Sequence, residues 1–278
     1  MNKSKMLKKL LNSSDTLIMP DAYDPISARL IEKAGFKAVQ CSGYSLSIAA
    51  GYKCETDVSL DENIELTHRI AEAVDVPVMA DAEDGYGDHE EVIETVNRFI
   101  RAGVAGLNIE DQIPGKMPLS IVNEDLMFQK IILTRETAEA EENHNFIINC
   151  RTDALKSTED RNEALEIAID RSNQYLEVGA DLAFITYVET LDEVKKIVRE
   201  VKGPVSIAAG MPYNVKEFSI KDLVKCGVAR VSLPTLLIYS SLQAINSSLK
   251  YLKDDKLSNF AENGSLYPYG DLKDLLKI

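Results

Sequence analysis

One unit recurs four times along this chain: a helix-ending glycine, then a short apolar run that finishes in polar side chains. The copies are EKAGFKAVQCSG (32–43), RAGVAGLNIED (101–111), EVGADLAFIT (177–186) and KCGVARVSLP (225–234). Gly35, Gly103, Gly179 and Gly227 stand where a helix needs a left-handed cap, and each following run is short and mainly apolar, as expected of a strand buried on both faces. Four further strand candidates alternate with these: DTLIMPDAY (15–23), VPVMADAE (76–83), NFIINCRTD (145–153) and GPVSIAAG (203–210). Helical periodicity fills the gaps, at 60–74, 88–103, 158–179 and 190–201. Strands alternating with helices in this number predict an α/β fold, a (βα)8 TIM-type barrel; a doubly wound sheet is the alternative, because strand count does not prove closure. No linker or low-complexity tract interrupts the pattern, so residues 1–278 read as a single barrel domain. Residues 235–278 form a C-terminal helical extension whose apolar stretch TLLIYSSLQAINSSLKYL (235–252) is expected to pack on a neighbouring subunit.

Charge narrows the partners. With 45 acidic against 31 basic residues the net charge is −14, which repels nucleic-acid phosphates and anionic lipid. No nucleic-acid or membrane partner is expected, and no run approaches a membrane span. An anionic small substrate then requires a local cation or converging N–H groups. Cys41, Cys54, Cys150 and Cys226 form no C-x-x-C pair, so reduced thiols are expected. The N-terminal MNKSKMLKKLLNSSD (1–15) has too short an apolar stretch for a signal peptide. It reads as a first helix in a cytoplasmic protein.

Barrel enzymes of this class carry their chemistry at the carboxyl ends of the strands. Those ends hold Cys41-Ser42-Gly43-Tyr44, Asp81-Ala82-Glu83-Asp84-Gly85-Tyr86-Gly87, Glu110-Asp111 and Arg151-Thr152-Asp153. Asp81 and Glu83, two residues apart on a strand, point to the same side, and Glu110 ends the next strand. Carboxylates so crowded repel unless a cation shares the space. Two readings follow: a hard divalent ion such as Mg2+ bound by oxygen ligands, or an ion-pair network closing the mouth. Arg151 supplies a fork for a substrate carboxylate or phosphonate. The Ser42-Gly43 turn offers backbone N–H groups to an anion, and Tyr44 and Tyr86 flank the mouth. His68 and His89 fall on helices and His144 in a polar turn, so none is expected in the site.

These motifs resemble, in order and spacing, the isocitrate lyase and phosphoenolpyruvate mutase superfamily: Ser42-Gly43, ADAEDGYGD (80–88), NIED (108–111) and INCRTDAL (148–155), together with MPDAYDPISARLIEKAGF (19–36). The resemblance runs from about Leu17 to Tyr239. It implies a Mg2+-dependent barrel, with Mn2+ as an alternative ion, commonly a homotetramer whose last helices are exchanged between neighbours; a dimer is the other homo-oligomer considered. It implies 2-oxo acid or small carboxylate substrates that pass through an enolate held on the metal. Asp81 matches the direct metal ligand, and Glu83 and Glu110 match carboxylates that hold the ion directly or through water. Ser42 and Gly43, with Tyr44 beside them, match the substrate-binding turn, and Arg151 the guanidinium partner.

Three departures leave the reaction open. Lyases of isocitrate or methylisocitrate carry a Lys-Arg-Cys-Gly-His run in the loop after the fourth strand; here it reads Lys116-Met117-Pro118-Leu119-Ser120. Phosphonate mutases carry a lysine followed by Asn-Ser, of which Lys116, and by a shift Ser120, remain. Cys54 stands where the family usually has aspartate, with Asp57 nearby, and Thr186-Tyr187 stand where it often has glutamate or histidine. The expected catalytic set is Lys116, Arg151 and Glu110. The favoured activity is cleavage of the bond to carbon 3 of an oxaloacetate-like 2-oxo acid. A phosphoenolpyruvate or phosphonopyruvate mutase or hydrolase, and a barrel that binds a metabolite without turnover, are the alternatives.

Overall fold

In the computed structural model, residues 2–116, 119–262 and 264–276 are described. Eight parallel strands are present: β1 Leu17–Pro20, β2 Val39–Gln40, β3 Val78–Asp81, β4 Gly106–Glu110, β5 Ile147–Thr152, β6 Leu182–Ile185, β7 Val205–Ala208 and β8 Arg230–Leu233. Each pairs with its sequence neighbour from β2 round to β8, and β8 pairs with β1. The β1–β2 seam is closed by a parallel bridge between Asp21 and Gln40, where the Ala22 N–H donates to the Gln40 carbonyl at 2.8 Å. The sheet is therefore a barrel, and the doubly wound alternative is excluded.

The helices among the described residues are α1 Lys3–Leu11, α2 Pro25–Lys33, α3 Gly43–Ala50, α4 Leu60–Ala73, α5 His89–Arg101, α6 Glu124–Ala140, α7 Arg161–Glu177, α8 Leu191–Glu200, α9 Ile220–Cys226, α10 Leu236–Lys253, α11 Ser258–Glu262 and α12 Tyr269–Leu276. Several start where the sequence says they should: Ser59, Thr190 and Ser219 each close a capping box with the acidic residue three positions on. The repeated unit ends as its glycines require, with Gly35, Gly103, Gly179 and Gly227 at φ +91, +87, +124 and +83°. A residue with a Cβ is strained there.

Period-two alternation along the strands sorts the interior. Residues facing outward, such as Val78, Ile109, Cys150, Ile185, Ile207 and Val231, pack under the helices as the main core. The amino-terminal end of the barrel is plugged by α1, whose Leu7 and Leu11 pack against Leu17, Met19, Met79, Ile147 and Leu182. Each such leucine contributes about 1.5–3 kcal/mol on burial.

Above that plug lies a polar layer. Arg230 is fully buried and donates from Nη1 to Ser206 Oγ at 2.9 Å and from Nη2 to Gln40 Oε1. Burial lowers its pKa to about 9. Asn149 on β5 donates to Oδ1 of its register partner Asn108 on the adjacent β4 at 2.6 Å. This layer is the floor of the carboxyl-terminal mouth.

Candidate active site

Four strand ends, those of β1, β3, β4 and β5, deliver acidic or cationic groups to the mouth. β3 ends in Asp81, and the chain then turns sharply, with Glu83, Gly85, Tyr86 and Gly87 all at positive φ. Glu83 at φ +50° is an unusual conformation for a residue with a side chain, and it turns the carboxylate back toward Asp81. The turn is braced from behind by the buried Lys130, which donates to the Asp84 carbonyl at 2.7 Å. Glu110 ends β4. Ligand oxygens of Asp81, Glu83 and Glu110 all lie within 4.8 Å of one another.

Electrostatics around this triad are severe. Burial, then repulsion from Asp81, Glu55 and Glu110, raises the Glu83 carboxyl well above its ordinary value. Burial raises Glu110 and Asp81 as well, and Arg151 opposes both shifts. Asp81 accepts from the Gly43 N–H at 3.1 Å through Oδ2, while Oδ1 is buried with no donor aligned on it. Oxygen donors alone, crowded, partly unpartnered and held at raised pKa, fit a hard divalent cation such as Mg2+.

Arg151 is fixed from two sides. Its Nε and Nη2 donate to the two oxygens of Asp153 at 2.9 and 2.8 Å, and Nη1 pairs with Glu110 Oε2 at 2.6 Å. Burial works against its charge, but Asp153 and Glu110 outweigh that and hold the guanidinium firmly protonated. Asp153 is itself seated by the Thr186 hydroxyl, and its N–H donates to Asp111 Oδ1 at 2.9 Å. Asp111 is anchored in turn by Tyr175 and Arg171. The metal-type cluster and the ion-pair network, alternatives in the sequence, coexist here and share Glu110.

Two connected cavities open above these groups. The larger, about 400 Å³, reaches from Asp81, Ser42 and Arg151 to Tyr44, Tyr187, Tyr213 and Tyr239; the smaller, about 240 Å³, holds Glu83, Glu110, Tyr86 and Gln112. Ser42 caps α3 without a side-chain hydrogen bond, and the Gly43 N–H serves Asp81. The anion that this turn holds in the structure is thus a protein carboxylate. Tyr44 is at the rim, its hydroxyl 3.2 Å from that of Tyr239. Tyr86 is tied by Asn63 at 2.8 Å.

Lys116 lies apart from the other expected catalytic groups: it is exposed on the loop and lines neither cavity. Met117 and Pro118 of the same stretch lie outside the described residues. Cys54 is exposed with its Sγ 2.9 Å from Thr56 Oγ1, and Asp57 is exposed too. Their neighbour Glu55 faces inward and lines both cavities. His68, His89 and His144 are all elsewhere, on α4, at the start of α5 and in an exposed turn.

Sequence reasoning missed Glu55, Asp21, Tyr213 and Tyr239. Asp21 follows β1, is fully buried, and has no donor aligned on either oxygen. The neighbouring Ser45 hydroxyl donates instead to the Pro234 carbonyl at 2.7 Å. The strand-end rule, applied to β1 as it was to β3, would have found Asp21. No local signal marks Glu55 over Cys54.

Comparison with known proteins agrees with this geometry. The chain matches the phosphoenolpyruvate phosphomutase family over residues 7–253. It is 32% identical over 266 residues to the 2,3-dimethylmalate lyase of Eubacterium barkeri, covering 92% of this chain and 88% of that one. It is 28% identical to the 2-methylisocitrate lyase of Aeropyrum pernix, covering 96% and 87%. The same fold is seen in a phosphonopyruvate hydrolase solved with oxalate and Mg2+, at TM-score 0.86 and 23% identity, covering 100% of this chain and 95% of that one.

Proposed function

Because the chain belongs to the phosphoenolpyruvate phosphomutase family, within the isocitrate lyase and PEP mutase superfamily, we propose that it is a Mg2+-dependent lyase cleaving the bond to carbon 3 of a small 2-oxo acid or related carboxylate. The observation that carries this reading is the convergence of Asp81, Glu83 and Glu110 within 4.8 Å, beside a clamped Arg151, with Asp81 and Arg151 lining a cavity of about 400 Å³ and Glu83 and Glu110 one of about 240 Å³. The relatives named as lyases of substituted malate and isocitrate support it.

Asp81, Glu83 and Glu110 would hold the ion, and the same oxygen donors suit Mn2+. A divalent cation there supplies a Lewis acid for the negative charge that develops on the substrate's oxygens. Arg151 presents a fixed positive guanidinium to the substrate carboxylate, and Asp153 keeps it from rotating away. Ser42, Gly43 and Tyr44 form the wall opposite. Glu110, in contact with both the cluster and Arg151, keeps the two charges in register. Lys116, the remaining expected catalytic residue, stands exposed outside both cavities and would act only from a loop arrangement that brings it to the mouth. An oxaloacetate-like substrate is favoured over phosphonopyruvate, because neither the cysteine run nor the Lys-Asn-Ser run is present.

Two features support the setting. Four free thiols, two of them buried, suit a reducing cytoplasm. No described helix is long and apolar enough to cross a membrane. A homo-oligomer, tetramer or dimer, is supported by the exposed apolar face of α10, where Leu242, Ile245, Leu249 and Leu252 are 45–58% exposed.

Calorimetric titration of oxalate, a planar mimic of the pyruvate enolate, tests the reading. Binding that requires both Mg2+ and Asp81, and is lost in Asp81→Ala, is the expected result. No binding under any condition would move a non-catalytic barrel to the front. Phosphorus NMR with phosphonopyruvate separates the mutase and hydrolase alternatives from the lyase, because only these make or break a carbon–phosphorus bond.

A further inference from the structure

We propose that the substrate carries an uncharged, apolar substituent at carbon 3 and is not a tricarboxylate; this rests on the lyase reading above. Beyond the cluster and Arg151, the larger cavity is walled by Tyr44, Phe184, Tyr187, Met211, Tyr213 and Tyr239. Tyr187 and Tyr213 stand with ring centroids 5.6 Å apart, and the Tyr187 N–H donates to the Tyr213 hydroxyl at 3.3 Å. Tyr44 and Tyr239 meet edge to face at 6.5 Å, their hydroxyls paired. The hydroxyls of Tyr44, Tyr213 and Tyr239 are thus engaged with one another or with backbone, and the tyrosine rings supply apolar surface for a substituent.

Charge decides against an acid there. Among the described residues lining the two cavities, Arg151 is the one cation, and Glu110 and Asp153 already hold it. Lys156 sits over the Tyr187 ring at 5.6 Å but pairs with Glu189 at 3.1 Å and lines neither cavity. Against Arg151 stand Asp81 and Glu55 in the larger cavity, and Glu55, Glu83 and Glu110 in the smaller one. A divalent ion would take the carboxylate and oxygen at carbons 1 and 2, and Arg151 the one carboxylate that a malate skeleton already bears on carbon 3. A third carboxylate, added as a further substituent on carbon 3, would enter the cavity with no cationic partner and lose its hydration. An alkyl group would instead gain by burial against the tyrosines.

The test is a matched pair of malates. Isocitrate carries a carboxymethyl group at carbon 3, and 3-isopropylmalate a neutral branched group of similar size. Each is titrated as all stereoisomers at buffered free Mg2+, with oxalate as reference. Isopropylmalate binding at least about tenfold more tightly than isocitrate is expected. Equal affinity, or preference for isocitrate, overturns the proposal while leaving oxalate binding intact; absence of Mg2+-dependent oxalate binding overturns the lyase reading itself. Met211→Lys places an unbranched cation in the wall, and the ratio should move toward isocitrate. An unmoved ratio, normalised to the variant's own oxalate affinity, would show that the substituent does not meet this wall and would overturn the assignment. If that variant does not fold, the wild-type ratio decides.

Discussion

Gly43 and Glu83 touch so closely that any side chain at position 43 must displace the Glu83 carboxylate: a Cβ on Gly43 would lie 1.5 Å from Glu83 Oε1. Glycine is required here for close approach, because Gly43 is not among the positive-φ glycines. Gly43→Ala is therefore expected to push Glu83 out of the cluster while α3, which starts at this residue, is helped by alanine's helix propensity. Mg2+-dependent oxalate affinity should fall by about 10–100-fold, with the metal-free thermal midpoint unchanged or raised. Wild-type affinity in this variant would show that Glu83 does not hold the ion.

Asp21 gives a pH-dependent expectation. Burial, with Asp81 adding repulsion, holds its carboxyl well above the ordinary range. The folded state thus binds the proton more tightly than the unfolded chain. Stability from this group is present at low pH and is lost as pH rises from the ordinary carboxylate value through the raised one. In metal-free protein the thermal midpoint should fall as pH rises above the ordinary carboxylate range, and Asp21→Asn should remove part of that slope. The variant should melt on the order of 2–4 °C higher at the alkaline end and no higher at the acid end. Parallel slopes for the two proteins would refute the assignment.

The barrel was legible because its signal is repeated and local. The cap glycines and the apolar runs that follow them each encode one turn of the same architecture, and all eight strands fall inside the segments read from sequence. Asp81, Glu83, Glu110 and Arg151 were legible because strand ends are one-dimensional landmarks. What was hidden depends on where a loop folds back. Glu55 and Cys54 are adjacent, and only the short helical turn Glu55–Asp57 decides which enters the cavity. Tyr213 and Tyr239 reach the mouth from distant loops and helices by tertiary packing. α6, whose buried side mixes Met127 and Ile131 with Lys130, Thr134 and Thr137 and so carries little apolar periodicity, lay unread beyond a segment treated only as loop.

Arg151 is held by Asp153 and Glu110, both almost fully buried. Arg151→Met would leave two carboxylates without a counter-charge, and a loss of about 3–5 kcal/mol in urea unfolding is expected. Arg151→Lys keeps the charge but cannot form the fork, so it should lose less stability and still lose oxalate affinity. Equal stability of the Met variant and wild type would mean that the cluster accommodates its own repulsion without this arginine.

The C-terminal extension makes the last prediction. α10 runs for 18 residues, yet Ile238 is its one fully buried side chain among the described residues. Leu242, Ile245, Leu249 and Leu252 are spaced three, four and three apart, which is the a/d seam of paired helices. Beside that seam an apolar groove of about 460 Å³ runs between α2 and α10, lined by Leu30, Phe36, Leu233, Leu236 and Leu237. A helix with such a stripe gains by covering it with another copy, the arrangement expected of a homo-oligomer with exchanged terminal helices. Light scattering should give a tetramer or dimer, and Ile245→Asp with Leu249→Asp should reduce it to a smaller species. A wild-type monomer at all concentrations would show that the seam pairs with something other than itself.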